Sequence, residues 1–139
     1  MLFAMLALAA ADPVPPTPAG EKTVAAAMRV VQSYYAAVSR HDYRTAYALW
    51  HGTQTYRHFR TGYAATRSAH VTFLQPGDAE GGAGSIYLEL PVRVDAILRS
   101  GAHQHFVGSY TLRRVNDVDG STAAQRRWHI ESATLKPAK

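Results

Sequence analysis

The side chains of this chain that could do chemistry fall into three groups: strand carboxylates, a histidine pair, and a set of four tyrosines and one tryptophan, most of them in the helical half. Proton transfer needs a carboxylate or an imidazole within hydrogen-bond reach of the substrate, with a pKa near the working pH. Glu89, Asp95 and Glu131 are the candidates. Residues 86–98 alternate, with Ile86, Leu88, Leu90, Val92, Val94, Ala96 and Leu98 on one parity, so Glu89 and Asp95 fall on the other, outward face. Glu131 reads as outward too. Pro91 interrupts that run, and a one-residue slip there would turn Asp95 inward, because the side-chain period of a strand is two. Without the slip, Asp95 is a solvated carboxylate beside Arg93 or Arg99.

His103 and His105 form H-x-H, which on a strand places both on one face, and His129 or His70 would be the neighbour that completes a metal site. The pair follows a turn signal, where exposed histidines are common, and no carboxylate stands at ligand spacing. No metal and no cofactor are expected. The run Asn116-Asp117-Val118-Asp119-Gly120 resembles part of a calcium loop, but Val115 and Arg126 hold the places where its first carboxylate and last glutamate belong, so it reads as a turn. Glu80 to Ser85 has glycines without the lysine or the following helix of a phosphate loop. With no cysteine, thiol nucleophiles, disulfides and thiolate metal centres are excluded. No catalytic residue is therefore assigned.

The aromatic group is Tyr35, Tyr47, Trp50, Tyr63 and Tyr110. Such residues line ligand pockets that are apolar with a few hydroxyls, and they also fill ordinary cores, their polar tips reaching backbone or surface. Both readings stand at this level.

Helices must position the first four of these residues. Val24, Met28, Val31, Tyr35 and Val38 recur at spacings of four and three, one face of an amphipathic helix. It should stop near His41, and Asp42 is a good N-cap for a second, short helix carrying Tyr43, Ala46, Tyr47 and Trp50, closed by Gly52. Thr53 or Thr55 would cap a third piece with Tyr56, Phe59 and Tyr63, ending near Thr66. The period then changes to two. Val71 and Phe73 mark a first strand, closed by Pro76-Gly77. The alternating run at 86–98 is the second, at a sheet edge or bulged at Pro91. A hairpin turn at Ser100-Gly101 leads to a third with Phe106, Gly108, Tyr110 and Leu112, and Arg114 on the same parity. Trp128 and Ile130 open a fourth, ending near Leu135. Helices first and strands afterwards is the α+β order. The expected fold is N-terminal helices packed on a curved, four-stranded antiparallel sheet, with bends at Gly108 and Pro91.

Residues 1–11, MLFAMLALAAA, are apolar, too short to span a bilayer, and end in alanines that supply a cleavage site, as in a signal peptide lacking its basic start. Residues 12–22 carry Pro13, Pro15, Pro16 and Pro18 and read as a linker; the domain proper is 23–136. The expected compartment is outside the cytoplasm, in a bacterial periplasm, with no transmembrane segment. The formal charge is +5 at a pI of about 9.7, yet the basic residues are scattered along the chain rather than gathered in a stripe, so no nucleic-acid partner is expected. A basic surface also sits easily near anionic envelope polymers or lipids.

The opening helix VVQSYYAAVSRHDYRTAYALW, the third helical piece leading into GYAATRSAHVTF, and the strands LPVRV, HFVGSYTLRRV and RWHIESATL together resemble the NTF2-like superfamily of cone-shaped α+β domains, over residues 24–135. The chain is most similar to exported bacterial members of unassigned activity. The resemblance implies a pocket between the helices and the concave sheet face. It does not decide function, since the superfamily holds isomerases, dehydratases, transport factors and non-catalytic domains. The expectation is a non-catalytic envelope protein, monomer or homodimer, binding a small apolar ligand, a polymer or a protein partner. The alternative is an isomerase, dehydratase or hydrolase using the same pocket.

Overall fold

In the computed structural model, residues 23–52, 54–75, 80–82, 85–115 and 120–139 are described, with 80–82 as backbone. The leader and linker at 1–22, the Pro76-Gly77 turn and the run 116–119 lie outside them. Helix α1 spans Val24–Ser39, α2 Tyr43–Ala48 and α3 Tyr56–Gly62. Strand β1 spans Thr66–Phe73, β2 Glu80–Gly82, β3 Ser85–Leu98, β4 His103–Val115 and β5 His129–Pro137.

Each helix starts where a short polar side chain satisfies a free backbone donor. Thr23 accepts from Ala26 N at 3.1 Å, Asp42 from Thr45 N at 3.3 Å, and Thr55 from His58 N at 3.1 Å. Helix α1 ends in a Schellman arrangement: His41 N donates to Val38 O at 3.0 Å and Asp42 N to Ala37 O at 2.9 Å. That motif puts its penultimate residue in the left-handed region, and here His41 occupies it, with φ 62°. The His41 ring is held in place by the Arg67 carbonyl, 3.1 Å from Nε2.

The strands form one antiparallel sheet in the order β1-β3-β4-β5, with the short β2 pairing on β3 as a fifth. The β3–β4 ladder runs without a shift from Ser85↔Val115 to Ile97↔His103. There is accordingly no bulge at Pro91. The proline sits where β1 leaves β3: β1 pairing ends at Phe73↔Val92, and Leu74 N donates to Pro91 O at 2.9 Å. A residue without an N–H is tolerated at that local edge. Register shifts lie instead at the start of β1, between Thr66 and Ser68, and in β5, opposite Thr111 and Leu112, where Ile130 pairs Leu112 and Ser132 pairs Thr111. One extra residue at Glu131 swaps the faces beyond it, so Ala133 and Leu135 lie opposite the inward Tyr110 and Gly108.

Gly108 is required by a close approach. A Cβ there would lie 1.7 Å from the Thr134 carbonyl oxygen, so only glycine lets β5 pass. The inward parity of the sheet packs on α1: Leu88, Leu90, Val92, Val94, Leu112 and Ile130 are buried against Ala27, Val31, Tyr34 and Val38. Beside the His41–Arg67 contact, two further links set the helices over the sheet. Ser39 Oγ bonds both the carbonyl (2.9 Å) and the N–H (3.0 Å) of Ala69 on β1. The tail of α2 joins β5 through His51 N to Ile130 O at 2.7 Å and Ile130 N to Leu49 O at 2.8 Å. Among the described residues no helix is long and apolar enough to cross a membrane.

Candidate functional site

Between α1, α3 and the inward face of the sheet lies a cavity of about 410 Å³, within the range of small-molecule sites. Tyr34, Tyr35, Trp50, Phe59, Tyr63 and Phe106 supply its aromatic wall, and Ala69, Val94, Ala96 and Leu135 its aliphatic floor. Four groups bring polarity: Gln54, His58, Thr66 and Gln104. Among the described residues no carboxylate, lysine or arginine is in the lining.

The wall is built around Tyr34. Its ring lies 4.9 Å from Tyr35, 6.1 Å from Trp50 and Phe59, and 6.3 Å from Tyr63 and Tyr110, mostly edge to face. Such pairs each add about 0.5–1.5 kcal/mol beyond area burial. The hydroxyls pair off: Tyr34 with Tyr63 at 2.5 Å, and Tyr35 with Tyr110. Burial is the first cause that pushes all four phenols above the ordinary tyrosine value, with Tyr63 adding to it at Tyr34 and Tyr35. They are neutral across the physiological range and act as hydrogen-bonding groups, not as bases. The Trp50 indole N–H acts on the Tyr34 hydroxyl and opposes part of that rise. It is nevertheless buried without a hydrogen bond of good geometry. The indole N–H is thus an unsatisfied donor at the cavity.

Of the five aromatic residues singled out by spacing, Tyr35, Trp50 and Tyr63 stand in this wall. Tyr47 and Tyr110 do not. Tyr47 turns away and donates to the Gln54 carbonyl at 2.6 Å. Tyr110 is buried behind Tyr35, where the hydroxyl pair closes the back of the wall. Tyr34, at 1% exposure, was missed by the helical pattern. It stands three residues after Val31 and four before Val38, both on the apolar face, and that spacing is the signal that could have found it. Gln104 was also missed, though it shares inward parity with Phe106. His58 and Gln54 had no signal in the spacing.

The carboxylates stay outside. Asp95 is 37% exposed on the outer face, where His105 Nδ1 lies 2.5 Å from Oδ1 and Arg93 Nε 3.3 Å from it. The His105 hydrogen bond, with Arg93 adding to it, holds the Asp95 carboxyl below the usual range. The slip that would have turned Asp95 inward is ruled out by the unbroken β3–β4 register. Glu131, at the β5 irregularity, meets His51 Nδ1 at 3.2 Å on the surface. The H-x-H pair is split in role: His105 serves Asp95, and His103 stacks on it at 6.5 Å. Among the described residues no three histidines or carboxylates are grouped to hold a metal ion. Arg114 is inward, as its parity indicated, and 1% exposed; its Nε donates to the Arg126 carbonyl at 2.7 Å, away from the cavity.

No protein-family model and no curated protein matches the chain. Solved structures that share its fold include the following three. One is an NTF2-like superfamily protein of Salmonella enterica serovar Typhimurium, with TM-score 0.57 and 13% identity, covering 85% of this chain and 95% of its own. A candidate scytalone dehydratase of Novosphingobium aromaticivorans has TM-score 0.57 and 12% identity, covering 83% of each chain. A candidate dehydratase of the NTF2-like family from Streptomyces avermitilis has TM-score 0.54 and 14% identity, covering 84% of this chain and 97% of its own. At these identities the likeness concerns fold alone.

Proposed function

We propose that this α+β chain of NTF2-like fold uses its aromatic cavity to bind a small, uncharged, flat molecule with one or two polar groups. The observation that carries this reading is the lining itself: six aromatic rings and four aliphatic side chains, with amides, tyrosine and threonine hydroxyls and one imidazole, and, among the described residues, no carboxylate, lysine or arginine. A charged ligand would be desolvated there without a counter-charge, which is costly. A flat apolar ligand is matched by edge and face contacts with the rings. Gln54, Gln104 and the Trp50 N–H are groups that can orient its polar end.

The test is thermal. Uncharged bicyclic aromatic alcohols should raise the melting temperature in a saturable, concentration-dependent way. Ala96→Leu, which fills the cavity from the β3 side, should remove that shift while leaving a folded protein. No shift with any such compound, or an unchanged shift in the variant, would remove this reading.

A second reading has specific support. His58 is the one imidazole in the lining, and two of the structurally similar proteins are candidate dehydratases. In that reading His58 takes or returns the proton while the neutral tyrosine hydroxyls polarise an oxygen of the substrate. Turnover of a hydroxylated aromatic ketone that vanishes in His58→Ala would favour it over binding alone.

The apolar segment 1–11 and the proline-rich run after it further support export before the domain folds, with action in a bacterial periplasm. N-terminal sequencing of protein from its native cell checks this: retention of residue 1 in the cytoplasm rejects it.

A further inference from the structure

Helix α3 has two working faces. His58, Phe59, Gly62 and Tyr63 look into the aromatic cavity. Arg57, Arg60, Thr61 and the following Ala64 look the other way, into a separate groove of about 610 Å³. Tyr43 and Arg44 of α2, Tyr56 at the start of α3, and Arg99 of the β3–β4 turn complete that groove. Four guanidinium groups thus converge from three elements, two neighbouring helices and a turn some forty residues further along the chain. The convergence is built: Arg99 N donates to Ala65 O at 2.8 Å, tying the turn to the end of α3. The Arg44 guanidinium lies over the Tyr56 ring, 3.9 Å from its centre, which orients it along the groove.

Among the described residues no acidic side chain lines this groove, and none of the four arginines has a carboxylate partner. Elsewhere on the surface the acids do find cations: Arg40 meets Asp42 and Arg93 meets Asp95. The Tyr43 hydroxyl at the groove is buried without a hydrogen-bond partner. Like charges gathered in a concave site repel one another and focus a positive potential there. A guanidinium presents a planar fork of donors that matches the oxygens of phosphate, often two at a time.

We propose that the groove between α2, α3 and the β3–β4 turn is a binding site for a phosphate-bearing ligand carrying at least two negative charges. The phosphate reaches it on a small molecule or on a lipid headgroup. The site is independent of the aromatic cavity, and its ligand need not be the cavity's.

Isothermal titration with inorganic pyrophosphate at low salt is the first arm. Saturable binding is expected, weakened at least tenfold in Arg57→Ala/Arg60→Ala, and unchanged in Arg127→Ala, an exposed arginine outside the groove. Both variants keep the fold, because these side chains are exposed; circular dichroism confirms it. The second arm is sedimentation with vesicles of phosphatidylcholine alone or mixed with cardiolipin, whose headgroup carries two phosphates. Binding to the anionic vesicles that pyrophosphate displaces, and that the double variant loses, assigns the phosphate to a lipid headgroup. Pyrophosphate binding without vesicle binding assigns it to a soluble compound. The proposal is overturned if neither probe binds, or if Arg127→Ala weakens binding as much as the double variant, since net charge alone would then explain the result.

Discussion

At the scale of single residues, the two most constrained positions are one with no side chain and one with the largest. Gly108 faces the β5 backbone so closely that any Cβ meets the Thr134 carbonyl oxygen at 1.7 Å. Gly108→Ala must therefore push β5 away or break the β4–β5 ladder, at a cost of about 3 kcal/mol or more, above the usual range for overpacking. Chemical denaturation measures it; a midpoint equal to wild type would show that β5 is free to shift. Trp128, just ahead of β5, is 3% exposed within the core shared by helices and sheet. Trp128→Ala should lower stability by about 3–5 kcal/mol, the range for removing a buried large aromatic. The same denaturation series checks it. The tyrosine hydroxyls illustrate a different constraint: a residue that looks like a catalytic acid or base becomes, when buried in pairs, a neutral structural donor.

At the scale of elements, α3 matters more than its seven residues suggest, since its two faces wall both the cavity and the arginine groove. So short a helix has little stability of its own. Its start depends on the Thr55 hydroxyl that accepts from His58 N. Thr55→Ala should cost about 1 kcal/mol, the usual loss for such a cap. It should also raise hydrogen exchange in α3 before it does so in α1 or the sheet. Uniform protection across all three helices in the variant would contradict this. The sheet carries the opposite lesson. Its long β3–β4 ladder holds one register over thirteen pairs, so inward and outward parity there is set rigidly. That is why Asp95 stays at the surface and Gln104 reaches the cavity.

At the scale of the whole molecule, the buried phenols couple the aromatic site to global stability. Tyr34, Tyr35, Tyr63 and Tyr110 have their ionisation pushed up by burial. The unfolded chain releases those protons near pH 10, whereas the folded chain holds them. The contribution to stability is therefore complete below about pH 10 and is lost as pH rises from there towards the folded values. Alkaline titration followed by phenolate absorbance should show these four of the eight tyrosines ionising only as the fold is lost, in step with circular dichroism. Early ionisation of all eight would mean that the cavity wall is open to water.

The local signals in the chain determined a great deal: the three helices and two of their caps, the change of period after Thr66, the α+β order, and the inward parity of β3 and β4. Each depends on neighbours three, four or two positions away, so a single chain carries it. Spacing also brought Tyr35, Trp50 and Tyr63 forward as a group. What the tertiary structure alone decided depends on distant segments meeting. The irregularity in β5 turned Leu135 inward, because a strand's register is set by its partner. Pro91 proved to be a local edge because β1 ends beside it. Tyr47 left the cavity wall and His58 entered it because the seating of α2 and α3 on the sheet fixes which face each shows, and Tyr110 left it because Tyr35 packs in front of it. Arginines that look scattered at 44, 57, 60 and 99 came together in one groove. Charge spacing along a chain says nothing about charge spacing across a surface until packing joins the two helices and the turn that carry it.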